Sequence, residues 1–158
     1  MNKPPSNWLQ GLRVYLGAMA AGNLVWETLQ LPLYTIWRTG TLREQAFAVF
    51  HCTLGDLLIA LSSLTLALMI VGQSAWPSSR FWQVAGFAII LGIGYTAFSE
   101  WVNVVVRASW AYSEWMPVIP LFGFRLGLSP LLQWIVVPAA AFRLVKWTTI
   151  EKDDGGRS

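Results

Sequence analysis

Residues 22–34, Gly22 to Tyr34, read GNLVWETLQLPLY. The stretch lies in a run apolar enough to cross a bilayer, yet it carries Asn23, Glu27, Gln30 and Tyr34. Those four recur at i, i+4, i+7 and i+11, one stripe of an α-helix. A charged side chain at the bilayer centre costs at least ~2.5–3.5 kcal/mol on insertion scales, so the stripe is expected to face other helices or a water-filled cavity. The same spacing returns at Thr96, Glu100, Asn103 and Arg107. Two helices would then each present a polar stripe containing a glutamate.

The surroundings identify these as membrane helices. Of the 158 residues, 55% are hydrophobic and only 12% charged, about half the charge of a soluble domain. Leu57–Ser79 and Phe81–Ser99 carry no charge at all, and roughly 18 such residues suffice for a span. Helices are expected near Val14–Tyr34, Ala46–Val71, Phe81–Val106 and Gly127–Trp147. QSAWPSSR separates the second from the third, and WMPVIPLFG introduces the fourth. Pro130 and Pro138 fall inside the last span, which is expected to bend. VYLGAMAAG is short and apolar like a signal peptide, but the apolar character continues through Leu33, so it is taken as a retained first span. The expected fold class is all-α. A single integral membrane domain covers residues 1–158 as a four-transmembrane-helix bundle, N- and C-termini on the same side, with a polar tail over 148–158.

The basic residues orient this bundle. Lys3, Arg13, Arg80, Arg143, Lys146, Lys152 and Arg157 fall on the terminal side, against Arg38, Arg43, Arg107 and Arg125 opposite. The excess places both termini in the cytoplasm, in a bacterial-type inner membrane. These residues flank spans and form no basic runs, so membrane lipids are the expected partners and nucleic acid is not. Cys52 is the only cysteine and His51 the only histidine. That excludes an internal disulfide, a bis-histidine haem and a metal site built from several histidines, so no cofactor or metal is expected.

Depth adds to the pattern. At a rise of 1.5 Å per residue, Glu27 lies about 4–5 Å past the middle of its span and Glu100 about 10 Å past the middle of the third. His51 and Asp56 lie about 11 and 4 Å towards the entry of the second span, and Ser129 about 12 Å before the middle of the fourth. All fall in the half of the membrane away from the termini. Asn, Gln and Ser also tie membrane helices together, at ~0.6 kcal/mol per hydrogen bond. Carboxylates and histidine are harder to assign to packing, because intramembrane ionisable residues mark functional sites by default.

Glu27, His51, Asp56 and Glu100 are therefore the candidate catalytic groups. Asn23, Gln30, Tyr34, Asn103 and Gln133 join them as candidate ligand-binding residues, with Arg107, Trp110, Tyr112 and Arg125 from the loops on that side. No nucleotide loop, serine elbow or HExxH motif is present. The expected use is to bind a lipid or other apolar small molecule, with acid–base processing of it as a step the same carboxyl groups could supply and enzyme activity left open. A proton- or ion-coupled carrier is one alternative. An accessory subunit, working as a homo-oligomer or beside a partner, is another.

One measurement tests the orientation. Alkaline phosphatase fused after Ser158 is expected to be inactive, because it folds only outside the cytoplasm. An active fusion would overturn the assignment.

Overall fold

The computed structural model describes residues 7–72, 74–121 and 123–151. Lys3, Lys152, Arg157 and the tail from residue 152 lie outside the described residues. The first helix, α1, runs from Trp8 to Gln30, opening ahead of the expected Val14. It stops short of Tyr34 because Pro32 has no N–H to give the carbonyl four residues back. Leu31–Leu33 form one 3₁₀ turn, after which Tyr34 takes extended backbone. A single-turn helix, α2 (Ile36–Thr39), leads into α3 (Leu42–Val71).

Helix α3 begins at Leu42, not Ala46, because Thr41 caps it. Its hydroxyl accepts from the Glu44 N–H, and the Glu44 carboxylate accepts from the Thr41 N–H at 2.7 Å. That reciprocal box satisfies two donors the helix start would leave open. Helix α4 (Phe81–Glu100) passes into a wider, π-type turn over Trp101–Val106. Beyond it a two-stranded antiparallel hairpin, β1 (Val118–Leu121) and β2 (Phe124–Gly127), interrupts the otherwise helical chain. Gly123 holds φ 85° at its turn, a conformation that favours glycine. Helix α5 (Leu128–Lys146) follows directly and continues as a π-type turn to Glu151, so the helical chain runs into the expected tail. Pro130 falls in the first turn of α5, where its missing N–H costs nothing, and Pro138 lies inside the helix.

The four long helices close a ring: α1 packs on α3 and α5, and α4 packs on the same two. Leu42–Val71, Phe81–Val106 and Leu128–Thr149 are each long and apolar enough to cross a membrane. The chain is thus mostly helical and membrane-embedded.

The buried apolar core gathers Tyr15, Met19, Leu64, Val84 and Phe142 in the half of the bundle where α3 turns back into α4, and it extends to Trp134 beside Gln133. Phe142 stacks between Tyr15, 4.7 Å away, and Phe81, 5.9 Å away and edge-on. Small residues Ala60, Ser63, Ala67, Ala85 and Ala88 are buried along α3 and α4, where they let membrane helices approach closely. Gly92 is the tightest of these contacts. A Cβ there would lie 2.1 Å from the Trp134 ring.

Gly92→Ala is accordingly expected to destabilise the protein by about 1–3 kcal/mol, the cost of overpacking. At Gly86 an added Cβ meets nothing within 4 Å, so Gly86→Ala is expected to be neutral or slightly stabilising. Thermal unfolding in detergent checks the pair, and equal melting temperatures would contradict the packing account.

Candidate functional site

The α1 stripe turns inward as its spacing requires. Asn23, Glu27 and Gln30 are all buried, Asn23 to 1% exposure. They meet Ser129 and Gln133, one turn apart on α5 and likewise buried. The contacts form one continuous chain. Trp26 donates its indole N–H to Ser129 Oγ at 3.2 Å, and Ser129 donates to Gln30 Oε1 at 2.8 Å. Gln30 Nε2 donates to Glu27 Oε1 at 2.8 Å and to Gln133 Oε1 at 3.3 Å.

Gln133 is the hub. Its Nε2 lies 3.0 Å from Asn23 Oδ1, 3.0 Å from Glu27 Oε1 and 2.9 Å from Asp56 Oδ2. An amide nitrogen has two hydrogens, so straight bonds cannot serve three acceptors. No Lys, Arg or His forms an ion pair with Glu27, Asp56 or Glu100 among the described residues. The cluster is therefore rich in acceptors and without a counter-charge of its own. Buried charge without a partner is costly, and a proton or a bound cation can relieve it.

Glu100 is held separately, by a loop. The Tyr112 hydroxyl donates to Glu100 Oε2 and accepts from the Gly127 N–H at 3.0 Å. Burial, and then the Glu100 carboxylate beside it, pushes this hydroxyl above the ordinary tyrosine range, so it remains a donor. The loop carrying Tyr112 is strapped to the corner after α1. Thr35 N–H bonds to Ala111 O at 3.0 Å and Ser113 N–H to Leu33 O at 2.9 Å, with the Tyr34 and Tyr112 rings 5.7 Å apart. Arg38 closes the strap, pairing with Glu114 at 2.9 Å and lying 4.5 Å over the Trp115 ring.

Beside the cluster runs a groove of about 1690 Å³. Glu27, Gln30, Asp56, Glu100 and Gln133 line its polar end, and Phe47, Leu58 and Leu66 of α3 face Ile90 and Phe98 of α4 along it. Gly55 and Gly94 also line it, and a Cβ at either would meet nothing within 4 Å. Glu27, His51, Asp56 and Glu100 thus share one cavity. His51 stands apart within it, exposed and stacked on Phe47 with ring centres 5.6 Å apart.

The second stripe is only partly brought in. Thr96 and Glu100 are buried, but the π-type turn underwinds the helix beyond them. Asn103 is left half-buried and bonded back to Ser99 O at 2.9 Å, while Arg107 is exposed at the rim. Trp110 also lines the groove. Arg125 is exposed on β2 opposite Pro120 and does not line it. Trp26 and Trp134 belong to the site yet were not expected there. Trp26 falls between Asn23 and Gln30 at helical spacing, and Trp134 follows the hub glutamine, so adjacency in sequence was the available signal. Among the described residues no three His, Cys, Asp or Glu side chains are grouped to hold a metal ion.

Comparison with protein families, curated proteins and solved structures finds no match for this chain.

Removing the hub is the direct test of the network. Gln133→Leu leaves buried acceptors without their donor and is expected to cost about 1–3 kcal/mol. Trp26→Phe removes only the end of the chain and is expected to cost about 0.5–1.5 kcal/mol. A double-mutant cycle between Gln133→Leu and Asp56→Asn is expected to show coupling above about 0.5 kcal/mol. Additivity of that pair would deny that Gln133 holds the cluster together.

Proposed function

We propose that this is a four-span protein of a bacterial-type inner membrane, with α1 as its first crossing and both termini cytoplasmic. In this reading the groove between α3 and α4 binds an apolar or amphiphilic molecule. One observation carries it: a cavity whose walls are apolar and whose end is lined by buried carboxyl and amide groups. Ligand sites commonly combine apolar walls with a few placed polar groups. The open glycines Gly55 and Gly94 supply the width for a chain to lie between the helices.

The polar end supplies chemistry as well as recognition. In this proposal a buried carboxyl accepts or donates a proton at a group of the bound molecule, and the Gln30, Gln133 and Ser129 contacts hold it in place. Glu27 and Asp56 are the first choice, since both face the hub amide. The carrier reading draws less support, because the core of the other half of the bundle is mostly apolar among the described residues. An accessory or homo-oligomeric role would use the exposed helix faces and leave the groove unused.

Filling the groove separates these readings. Gly55→Phe and Gly94→Phe place a ring where there is free space, so the fold is expected to survive. Loss of co-purifying lipid, or of a hydrophobic fluorescent probe, is the expected result; unchanged binding would remove the groove from the function. Glu27→Gln, Asp56→Asn and Glu100→Gln are expected to keep probe binding within a few-fold. Any turnover of membrane lipid extracts in detergent should fall by about 10²–10⁴, the usual contribution of a general acid or base. Full turnover in all three variants would assign the carboxyls to structure. Gradient-dependent uptake in sealed vesicles would favour the carrier instead.

A further inference from the structure

We propose that the polar end of the groove receives the primary ammonium head of an amphiphile whose alkyl chain lies along the apolar walls. This rests on the groove-binding reading above and names the chemistry of its ligand. The first ground is an inventory of donors and acceptors. Three carboxyl groups and the Asn23 carbonyl present acceptors. The Gln133 Nε2 is already shared among three of them, and Gln30 Nε2 is spent on Glu27 and Gln133. Ser129 and Tyr112 spend their hydroxyl protons on Gln30 and Glu100. Asn23 Nδ2 and the Trp134 indole N–H remain as neutral donors, but the three carboxyl groups have no positive charge beside them among the described residues, and an ammonium group brings one charge and three donors.

The second ground is independent of the acidic groups. Thr28, Thr53 and Thr65 each donate their hydroxyl to the carbonyl four residues back, at 2.8, 2.8 and 2.7 Å. Thr96 does not. It is 7% exposed, it lines the groove, and its Oγ1 has no hydrogen-bond partner. A buried hydroxyl without a partner is costly, and a ligand head beside it would supply one. Arg43 and Arg107 line the rim, where both are exposed. Neither forms an ion pair with the carboxyl cluster among the described residues.

An ammonium on a phospholipid and one on a free long-chain amine share this chemistry, and the experiment distinguishes them. Purified protein carrying a neutral fluorescent hexadecyl probe is titrated with hexadecylamine, hexadecanol, hexadecanoate and short-chain butylamine. Hexadecylamine is expected to compete at least about tenfold better than hexadecanol, because hydrogen bonds from a charged donor are stronger than those from a neutral hydroxyl. Butylamine is expected to fail, lacking the chain. In Asp56→Asn and in Glu100→Gln the amine preference is expected to shrink to about threefold or less while hexadecanol still competes, which also shows that the variants are folded. Phosphatidylethanolamine competing better than phosphatidylcholine, which has no N–H, would point to a lipid source. Competition by the free amine alone would point to a soluble one; either supports the proposal. Equal competition by amine and alcohol, or stronger competition by hexadecanoate, overturns the ammonium head and leaves groove binding intact. A preference that persists in both variants also overturns it. If no alkyl compound displaces the probe, the groove reading itself falls.

Discussion

The Gln133 side-chain amide is the contact on which the polar half of this molecule depends. It is the one group that reaches Asn23 and Glu27 on α1, Asp56 on α3 and, through its own carbonyl, Gln30. Three of the four long helices therefore meet at a single residue. Within a membrane no water is at hand to replace a lost partner, so each unsatisfied group would be costly. The spacing of Asn23, Glu27 and Gln30 on α1, and of Ser129 and Gln133 on α5, follows from that requirement. Each places a side chain on the face that the other helix covers.

The two halves of the bundle divide the work between them. Around Tyr15, Met19, Trp134 and Phe142 the ring is tightly filled, and Gly92 is needed for Trp134 to fit at all. This packing fixes Trp134, and with it the helix turn that carries Gln133. On the groove side, Gly55 and Gly94 have no neighbour within 4 Å of where a Cβ would sit. Helix α4 thus closes on α5 at Gly92 and opens onto the groove at Gly94, two residues along. A rigid closed half makes an open half tolerable, because the polar network does not have to hold the fold together by itself.

Much of this was written in the sequence, for identifiable reasons. Helical spacing exposed the α1 stripe because Asn23, Glu27 and Gln30 all lie in regular α-helix, where the period holds. It failed in α4 past Glu100, where the π-type turn changes the period and sends Arg107 to the surface. Depth alone grouped Glu27, His51, Asp56 and Glu100, and all four line one cavity. Depth carries no azimuth, so it did not show that His51 faces outward while Asp56 faces in. The hairpin was missed because Val118–Leu121 and Phe124–Gly127 are short, and Pro117 and Pro120 read as loop. The capping box Thr41–Glu44 was legible, and it moves the start of α3 to Leu42.

The loop over the site explains how a ligand would enter. Tyr112 touches Glu100 and Gly127 together, so one hydroxyl joins the end of α4 to the hairpin and the start of α5. Thr35, Ser113 and the Arg38–Glu114 pair then tie the same loop to the corner after α1. These ties draw together the chain at the end of the bundle that holds the carboxyls. The groove's exposed lining is instead lateral, on Phe47, Leu58 and Leu66 of α3 and Ile90 and Phe98 of α4. Those are side chains that a membrane helix can leave in contact with lipid at no cost. In the proposed reading, a ligand dissolved in the bilayer would pass between α3 and α4 with its chain still in an apolar environment. Only its head would change surroundings, from the lipid interface to the acceptors around Gln133. The chain would bring the ligand into the bilayer and along the groove, and discrimination among ligands of equal chain length would rest on the head, because the chain gains little by leaving one apolar medium for another.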